Sequence, residues 1–160
     1  MNSAFGIVFP PTAFPPAYGS FSSTQIQTIT QNTPLPFTYD TQDITPDGVS
    51  QSGASIVVQK AGVYKILTSL QCDKTTGTAG DMEMWIGKNG TAVPNTATRI
   101  QINQNQECVM SVEWFLDLSA GDTLAVIGIS STTGLRAVAF PSASPIPAIP
   151  SIITTILRIA

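Results

Sequence analysis

Three aspartates stand within eight residues of one another, in a stretch rich in turn-forming residues: Asp40, Asp43 and Asp47. Carboxylate oxygens are preferred ligands of Ca²⁺, so a calcium site is one hypothesis for this loop. The spacing differs from that of an EF-hand loop, in which oxygen ligands recur at alternate positions. Aspartate also forms turns by bonding its own backbone two residues on. The sequence favours turn formation here and leaves calcium binding open.

Nucleophilic catalysis would depend on a base that the chain lacks. The sequence contains no histidine, which excludes Ser–His and Cys–His pairs and removes the commonest metal ligand. Without such a base, Cys72 and Cys108 are weak candidates for a catalytic thiol. Both fall at the inward parity of alternating stretches, which favours buried free thiols, with a disulfide as the alternative.

Paired carboxylates could hydrolyse a glycoside, but the acidic residues in the strand-like stretches have outward parity. That parity favours solvated strand faces for Asp81, Glu83, Glu107, Glu113 and Asp117. We therefore predict that the chain is not an enzyme, with no catalytic, cofactor or metal site.

Two positions suggest carbohydrate. Trp85 shares the parity of Asp81 and Glu83, which makes it a candidate exposed ligand contact that could stack on a sugar, whereas the pattern places Trp114 in the core. Asn89-Gly90-Thr91 is a formal N-glycosylation acceptor. Asn-Gly is also typical of a two-residue hairpin, because both central residues need positive φ. The hairpin is favoured and glycosylation stays open.

The composition is that of an all-β protein. Charged residues make up only 11% of the 160 residues, and β-branched and aromatic residues outweigh the straight-chain helix formers. The net charge is -3, the pI is about 4.6, and no basic cluster occurs, which argues against nucleic acid as a partner. No apolar run approaches the roughly 20 residues of a membrane helix, so we expect no membrane insertion. The N-terminus has no positively charged region and its prolines interrupt any apolar run, so we expect no signal peptide.

Alternating apolar and polar residues predict eight to ten short strands in a single jelly-roll β-sandwich. The clearest stretches are 64–72, 82–86 and 108–118. Residues 123–129 are apolar on both faces, which predicts a central strand or a subunit contact. Residues 37–39 are predicted as a further short strand.

The first sixteen residues form a separate segment, which we name the arm. Pro10, Pro11, Pro15 and Pro16 oppose both helix and central strand, so an extended conformation is predicted. Phe5, Phe9 and Phe14 give this segment more apolar bulk than a solvated linker carries. This favours docking on a neighbouring molecule, with packing on its own domain as the alternative. The predicted organisation is an arm at 1–16 and a jelly roll at 17–160.

The order of several landmarks resembles one superfamily. They are Gly62-Val63-Tyr64, Trp85-Ile86 followed by Asn89-Gly90, Ala120-Gly121-Asp122, and the terminal Leu157-Arg158-Ile159. In this order they resemble the trimeric jelly rolls of the tumour necrosis factor and complement-globular-head (C1q-like) superfamily, over residues 17–160. The resemblance implies a homotrimer. Together with the strands that are apolar on both faces, it makes four residues candidates for core or trimer contact: Tyr64, Leu124, Val126 and Ile153.

Within that superfamily the chain is most similar to versions encoded by large DNA viruses and to the heads of bacterial spore-surface glycoproteins. It departs from the latter because the arm stands where a Gly-x-y collagen stalk would be. The resemblance implies a structural protein of the virion, a minor capsid or surface component that contacts neighbouring capsid proteins. The alternative is a receptor- or glycan-binding head of a surface fibre or spike.

Overall fold

The computed structural model describes residues 16–160, and all secondary-structure elements among these residues are β-strands. None of these residues belongs to a helix that could span a membrane. The strands are β1 Tyr18–Ser23, β2 Gln27–Thr28, β3 Leu35–Pro36, β4 Thr41–Gln42, β5 Val49–Ser52, β6 Ser55–Val58, β7 Gly62–Lys74, β8 Gly80–Lys88, β9 Thr91–Ala92, β10 Thr98–Ile102, β11 Glu107–Leu118, β12 Thr123–Ser130, β13 Leu135–Ala137 and β14 Ile152–Arg158.

These strands form two antiparallel sheets of seven strands each within the described residues. In the first sheet β7 is the central strand, with β11 on one edge and β14 followed by β13 on the other. Beyond β14 lie β1 and β4, and beyond β13 lies β2. The second sheet has the order β10-β8-β12-β6-β5, with β3 paired to β12 and β9 to β8. The prediction of an all-β jelly-roll sandwich is confirmed.

Residues of alternating strands point into the space between the sheets. The first sheet contributes Tyr64, Ile66 and Leu70, and the second contributes Met82 and Met84, all of them fully buried. Close packing leaves little room at some positions. At Gly128 of β12, for example, a Cβ atom would come within 2.6 Å of the ring of Phe37.

Two local predictions are also confirmed. Strand β12 is central, because it pairs with β8 on one edge and with β6 and β3 on the other. Asn89 and Gly90 have φ angles of 52° and 79° and join β8 to β9 in a tight hairpin, as an Asn-Gly turn requires. The Asn89 side chain is engaged as well, since its Nδ2 donates to Asp122 Oδ1 at 2.7 Å.

The strand predicted at residues 37–39 is wrong. Strand β3 ends at Pro36, and one further backbone bond follows, in which the Phe37 N–H donates to the Val126 carbonyl of β12 at 2.9 Å. The buried Phe37 and Tyr39 side chains then fill the core. The Thr38 backbone is satisfied by a side chain instead of a strand. Its N–H donates to Gln27 Oε1 at 2.8 Å, and its carbonyl accepts from Gln27 Nε2 at 3.0 Å. This side chain replaces the ladder that the periodicity assumed.

Candidate assembly interface

The outer face of the first sheet carries apolar side chains that the sandwich does not bury. They lie on the three neighbouring strands β11, β7 and β14, and we name this surface the assembly face. Among residues 16–160, every exposed large apolar side chain that belongs to one of the fourteen strands lies on it. Its apolar members are Val109 and Phe115 on β11, Leu67 on β7, and Ile153 and Leu157 on β14.

Strand register brings these side chains together. Phe115 pairs with Lys65, which pairs in turn with Leu157, so the two apolar residues flank the lysine stem. One row along, Leu67 lies between Glu113 and Thr155. Leu67 is the diagonal neighbour of Phe115, Leu157 and Ile153, so these four side chains form one patch around it. Val109 is opposite Gln71 and lies apart from this patch, beyond Ser69 and Ser111. Phe115 is 57% exposed and Leu157 is 45% exposed.

The electrostatics of the assembly face are nearly balanced at its centre. Lys65 Nζ lies 2.6 Å from a carboxylate oxygen of Glu113, so each charge has its partner on the same face. The polar positions between the apolar ones include the small hydroxyls Ser69, Ser111 and Thr155. A second molecule covering the centre of this surface would therefore desolvate one compensated ion pair. The exposed carboxylates of Asp117, beside Phe115, and Glu107, beside Val109, lie on the same face toward the two ends of β11.

The second sheet has a different outer surface. Arg99 on β10 contacts Glu83 and lies 3.7 Å from Asp81, both on β8. Trp85 is half-buried beside them. A shallow depression of about 220 Å³ is lined by Trp85, Glu83, Arg99, Ala97 and Thr98.

No protein-family model and no curated protein sequence matches the chain. Solved structures do. The structure is similar to murine APRIL, a TNF-family protein, at pH 8.5, with a TM-score of 0.55, 12% sequence identity, and coverage of 91% of this chain and 100% of that one. It is also similar to the globular domain of zebrafish complement 1qA, with a TM-score of 0.60, 10% identity, and coverage of 90% and 97%. The fold is the TNF/C1q-like jelly roll. This confirms the resemblance, and at these identities it establishes the fold alone.

The structure separates the four candidates for core or trimer contact. Tyr64, Leu124 and Val126 point into the jelly roll and are buried. The Tyr64 hydroxyl donates to the Lys60 carbonyl at 2.6 Å. Ile153 points outward on the assembly face. Phe5, Phe9 and Phe14 of the arm lie outside the described residues.

Sequence analysis missed four members of the assembly face. Leu67, Val109, Phe115 and Leu157 occupy positions that the alternation assigns to solvent, so the periodicity alone discards them. The sequence did carry an indication, in apolar residues that stand where the alternation expects polar ones. Phe115 stands at a polar-parity position between Glu113 and Asp117, where a half-buried strand normally carries a polar residue.

The three aspartates do not converge on one point. Asp40 accepts hydrogen bonds from the N–H and the hydroxyl of Thr24, Asp43 accepts from the hydroxyls of Ser20 and Ser22, and Asp47 pairs with Lys60 at 2.9 Å. Among residues 16–160, no group of three or more Cys, Asp or Glu side chains is arranged to hold a metal ion. Each carboxylate instead ties its loop to a separate element.

Cys72 and Cys108 are directly opposite each other on β7 and β11, and both are free thiols. Cys72 is buried and Cys108 is half-buried. The contact with Cys108, together with burial, raises the pKa of the Cys72 thiol well above its usual value. Cys72 therefore stays protonated and behaves as an apolar core residue.

The Asp40 carboxylate should stabilise the fold in a pH-dependent way. Slight burial raises its pKa, but the hydrogen bonds from Thr24 and Thr41 outweigh that effect and leave the pKa below its usual value. A lowered folded-state pKa stabilises above the unfolded pKa, about 3.9, and this contribution is lost as the pH falls through the folded pKa. We expect Asp40→Asn to lower the free energy of unfolding at pH 7 by at most about 1 kcal/mol.

Urea unfolding at pH 7, 5 and 3, at one protein concentration, measures this effect. The difference between the wild type and Asp40→Asn should close as the pH approaches 3. A difference of equal size at all three pH values would contradict a role for the charged carboxylate.

Proposed function

We propose that this protein is a non-enzymatic structural component of a large DNA virus, a minor capsid or surface protein of the virion. In this proposal it assembles as a homotrimer through the assembly face. The observation that carries the assembly is the set of five exposed apolar side chains on β11, β7 and β14. Monomeric soluble proteins rarely leave a contiguous apolar patch of this kind in water.

The energetics support assembly through this face. Full burial of one large apolar side chain contributes about 1.5–3 kcal/mol, and these five are already about half covered. Covering them would contribute on the order of 5 kcal/mol per subunit. That is comparable with the lower estimates of the free-energy cost of association. A single charge placed at the centre of the face should therefore be enough to reverse the balance.

Three copies around one axis are favoured by the resemblance to trimeric jelly rolls of this fold. Closed cyclic symmetry also covers the same patch on every subunit and leaves none exposed. A place in the virion is supported by the resemblance to viral members and by the low charge content, which limits repulsion in dense assemblies. The absence of histidine supports a non-enzymatic role.

Phe115→Glu should dissociate the trimer. The substitution places a carboxylate near Glu113 at the centre of the patch and removes the most exposed apolar side chain. Ile44→Glu is the matched control, because Ile44 is 46% exposed and lies in the loop after β4, outside the three strands of this face. Sedimentation equilibrium should give a trimer for the wild type and for the control. We expect the apparent dissociation constant of Phe115→Glu to rise at least a hundredfold, from about 3 kcal/mol of lost burial and added repulsion. A trimeric Phe115→Glu protein would refute the assembly face.

The virion role predicts that the protein is found in purified particles. After surface fibres are stripped by mild protease treatment, quantitative mass spectrometry should find it retained with the shell at an unchanged ratio to the major capsid protein. Loss together with the fibres would favour the alternative function below. Absence from particles before stripping would contradict both.

The second candidate function is a receptor- or glycan-binding head of a surface fibre or spike. The depression around Trp85 favours it, because an indole ring next to the Arg99 and Glu83 side chains combines a stacking surface with hydrogen-bonding groups. The same trimer could present three such depressions, which would raise avidity without new contacts.

Trp85→Ala should abolish glycan binding and leave the trimer intact if this second function holds. Trp85→Phe is the matched control, since it keeps an aromatic face at the same position. A glycan array followed by titration of the best ligand would measure the effect, with at least a tenfold loss expected for alanine. Equal binding by the wild type and Trp85→Ala would exclude this depression as the site.

A further inference from the structure

A second apolar feature lies at one end of the jelly roll, away from the assembly face. It is a cavity of about 510 Å³ between the loop that follows β1 and the proline-rich excursion between β13 and β14. We name it the end pocket, because it lies at the end of the sandwich where β1 finishes. Apolar side chains line it from both segments, chiefly Ile26, Phe140, Pro141 and Ile149, and no charged side chain lines it.

The pocket is formed and accessible. The excursion is closed by two backbone bridges, Phe140 with Ile149 and Ala143 with Ile146, so both sides of its base are fixed. Ile26 is 50% exposed and Ile149 is 38% exposed. A volume in this range suits a ligand with a few apolar side chains. Thr24 and Gln25 line it beside the apolar side chains, so the lining favours an uncharged ligand over a charged one.

The arm has the matching chemistry. Residues 1–16 include no charged side chain, and they carry Phe5, Phe9 and Phe14 together with four prolines, at positions 10, 11, 15 and 16. A proline-rich segment that is already restricted to extended conformations loses less entropy on docking than a flexible one. With no charged side chain and three phenylalanines, the arm is best suited to place an aromatic side chain in the uncharged pocket.

Distances decide which copy supplies the arm. The arm joins the jelly roll at the opposite end of β1, where the Pro16 carbonyl accepts from Lys60 Nζ at 2.7 Å and Tyr18 pairs with Leu157. From Pro16 to Thr24, at the pocket, the chain advances about 26 Å. Two residues span at most about 7 Å, so Phe14 does not reach the pocket of its own chain. Seven residues span at most about 25 Å, so Phe9 could reach it only if the chain ran back along β1 with every residue fully extended.

Phe5 could cover about 36 Å, but only if the chain reversed its direction at once, which Pro15 and Pro16 oppose. The pocket is also lined by loops and not by the strands of the assembly face, so docking there and assembly of the trimer would use different surfaces. We propose that the end pocket binds the arm of a second copy of this chain and thereby links one trimer to the next. The trimer part of this inference rests on the proposed function.

The arm and the pocket are different surfaces, so a contact made in one direction propagates from copy to copy, whereas a reciprocal exchange of arms closes a pair. Both arrangements link trimers into larger species. Sedimentation velocity of the full chain should show species larger than the trimer that grow with concentration. Two variants should stop at the trimer: the arm variant Phe5→Ser/Phe9→Ser/Phe14→Ser and the pocket variant Ile26→Glu/Ile149→Glu. Ile44→Glu, at a similarly exposed position outside the pocket, should behave like the wild type.

Mixing the two variants is the decisive step. The pocket variant keeps its arm and the arm variant keeps its pocket, so the mixture should again form species larger than the trimer. A mixture that stays at the trimer would overturn docking between copies. A wild type that never exceeds the trimer would overturn it too.

Direct binding gives an independent measurement. A fluorescein-labelled peptide of residues 1–16 should bind the full-length arm variant. It should bind the variant that combines the arm and pocket substitutions at least tenfold more weakly, as judged by fluorescence anisotropy. Equal binding to both would place the peptide elsewhere and overturn the proposal. A third outcome separates the two proposals. If the wild type formed larger species directly from monomers, and both sets of substitutions prevented this, the proposed trimer would be contradicted while docking of the arm in the pocket would be supported.

Discussion

Strand β7 is the element on which the rest of the structure depends, because it is paired along both of its edges. Its thirteen residues pair with β11 from Gly62 to Asp73 on one side, and with β14 and β13 on the other. A strand in this position has only its two faces left, and a two-layer sandwich buries one of them. The other must be polar enough for water or be covered by another molecule. On that face Leu67 is exposed between the polar residues Lys65 and Ser69, so in the proposed assembly it is the position on β7 that a second molecule would cover.

The buried face fixes which residues reach the assembly face. Inside the sandwich the hydroxyls of Thr68, Thr154 and Tyr39 form a chain of hydrogen bonds with lengths of 2.9 and 2.8 Å. Burial raises the pKa of the Tyr39 phenol, which therefore stays neutral. A slip of one residue in β7 or β14 would break this chain and exchange the two faces. The hydroxyl chain and the assembly face are thus two consequences of the same register.

Short-range periodicity predicted the parts of the fold that depend on alternation alone. The long strands β7 and β11, the central position of β12 and the Asn89-Gly90 hairpin all follow from local pattern. Contacts distant in sequence were not predictable in this way. Gln27 replaces a strand partner for Thr38, and Thr24 binds the carboxylate of Asp40, sixteen positions away. The same limit explains the missed apolar side chains. Phe115 and Leu157 belong to the same surface because both are opposite Lys65 in the folded sheet, on its two sides. This proximity cannot be read from positions that are 42 residues apart in the sequence.

The chain has few charged residues, and most of its basic side chains are paired within the chain, which bears on how copies could associate. Five of the seven basic residues form ion pairs within their own chain, and buried Lys74 donates to Thr132 and to the Thr133 carbonyl. Few uncompensated charges are then left to bring copies together or to hold them apart. In the proposed assembly, association would therefore depend on apolar area and on shape. Such surfaces bind equally well in several orientations unless something fixes the register, and here the Lys65–Glu113 pair at the centre of the assembly face is the polar feature able to do so.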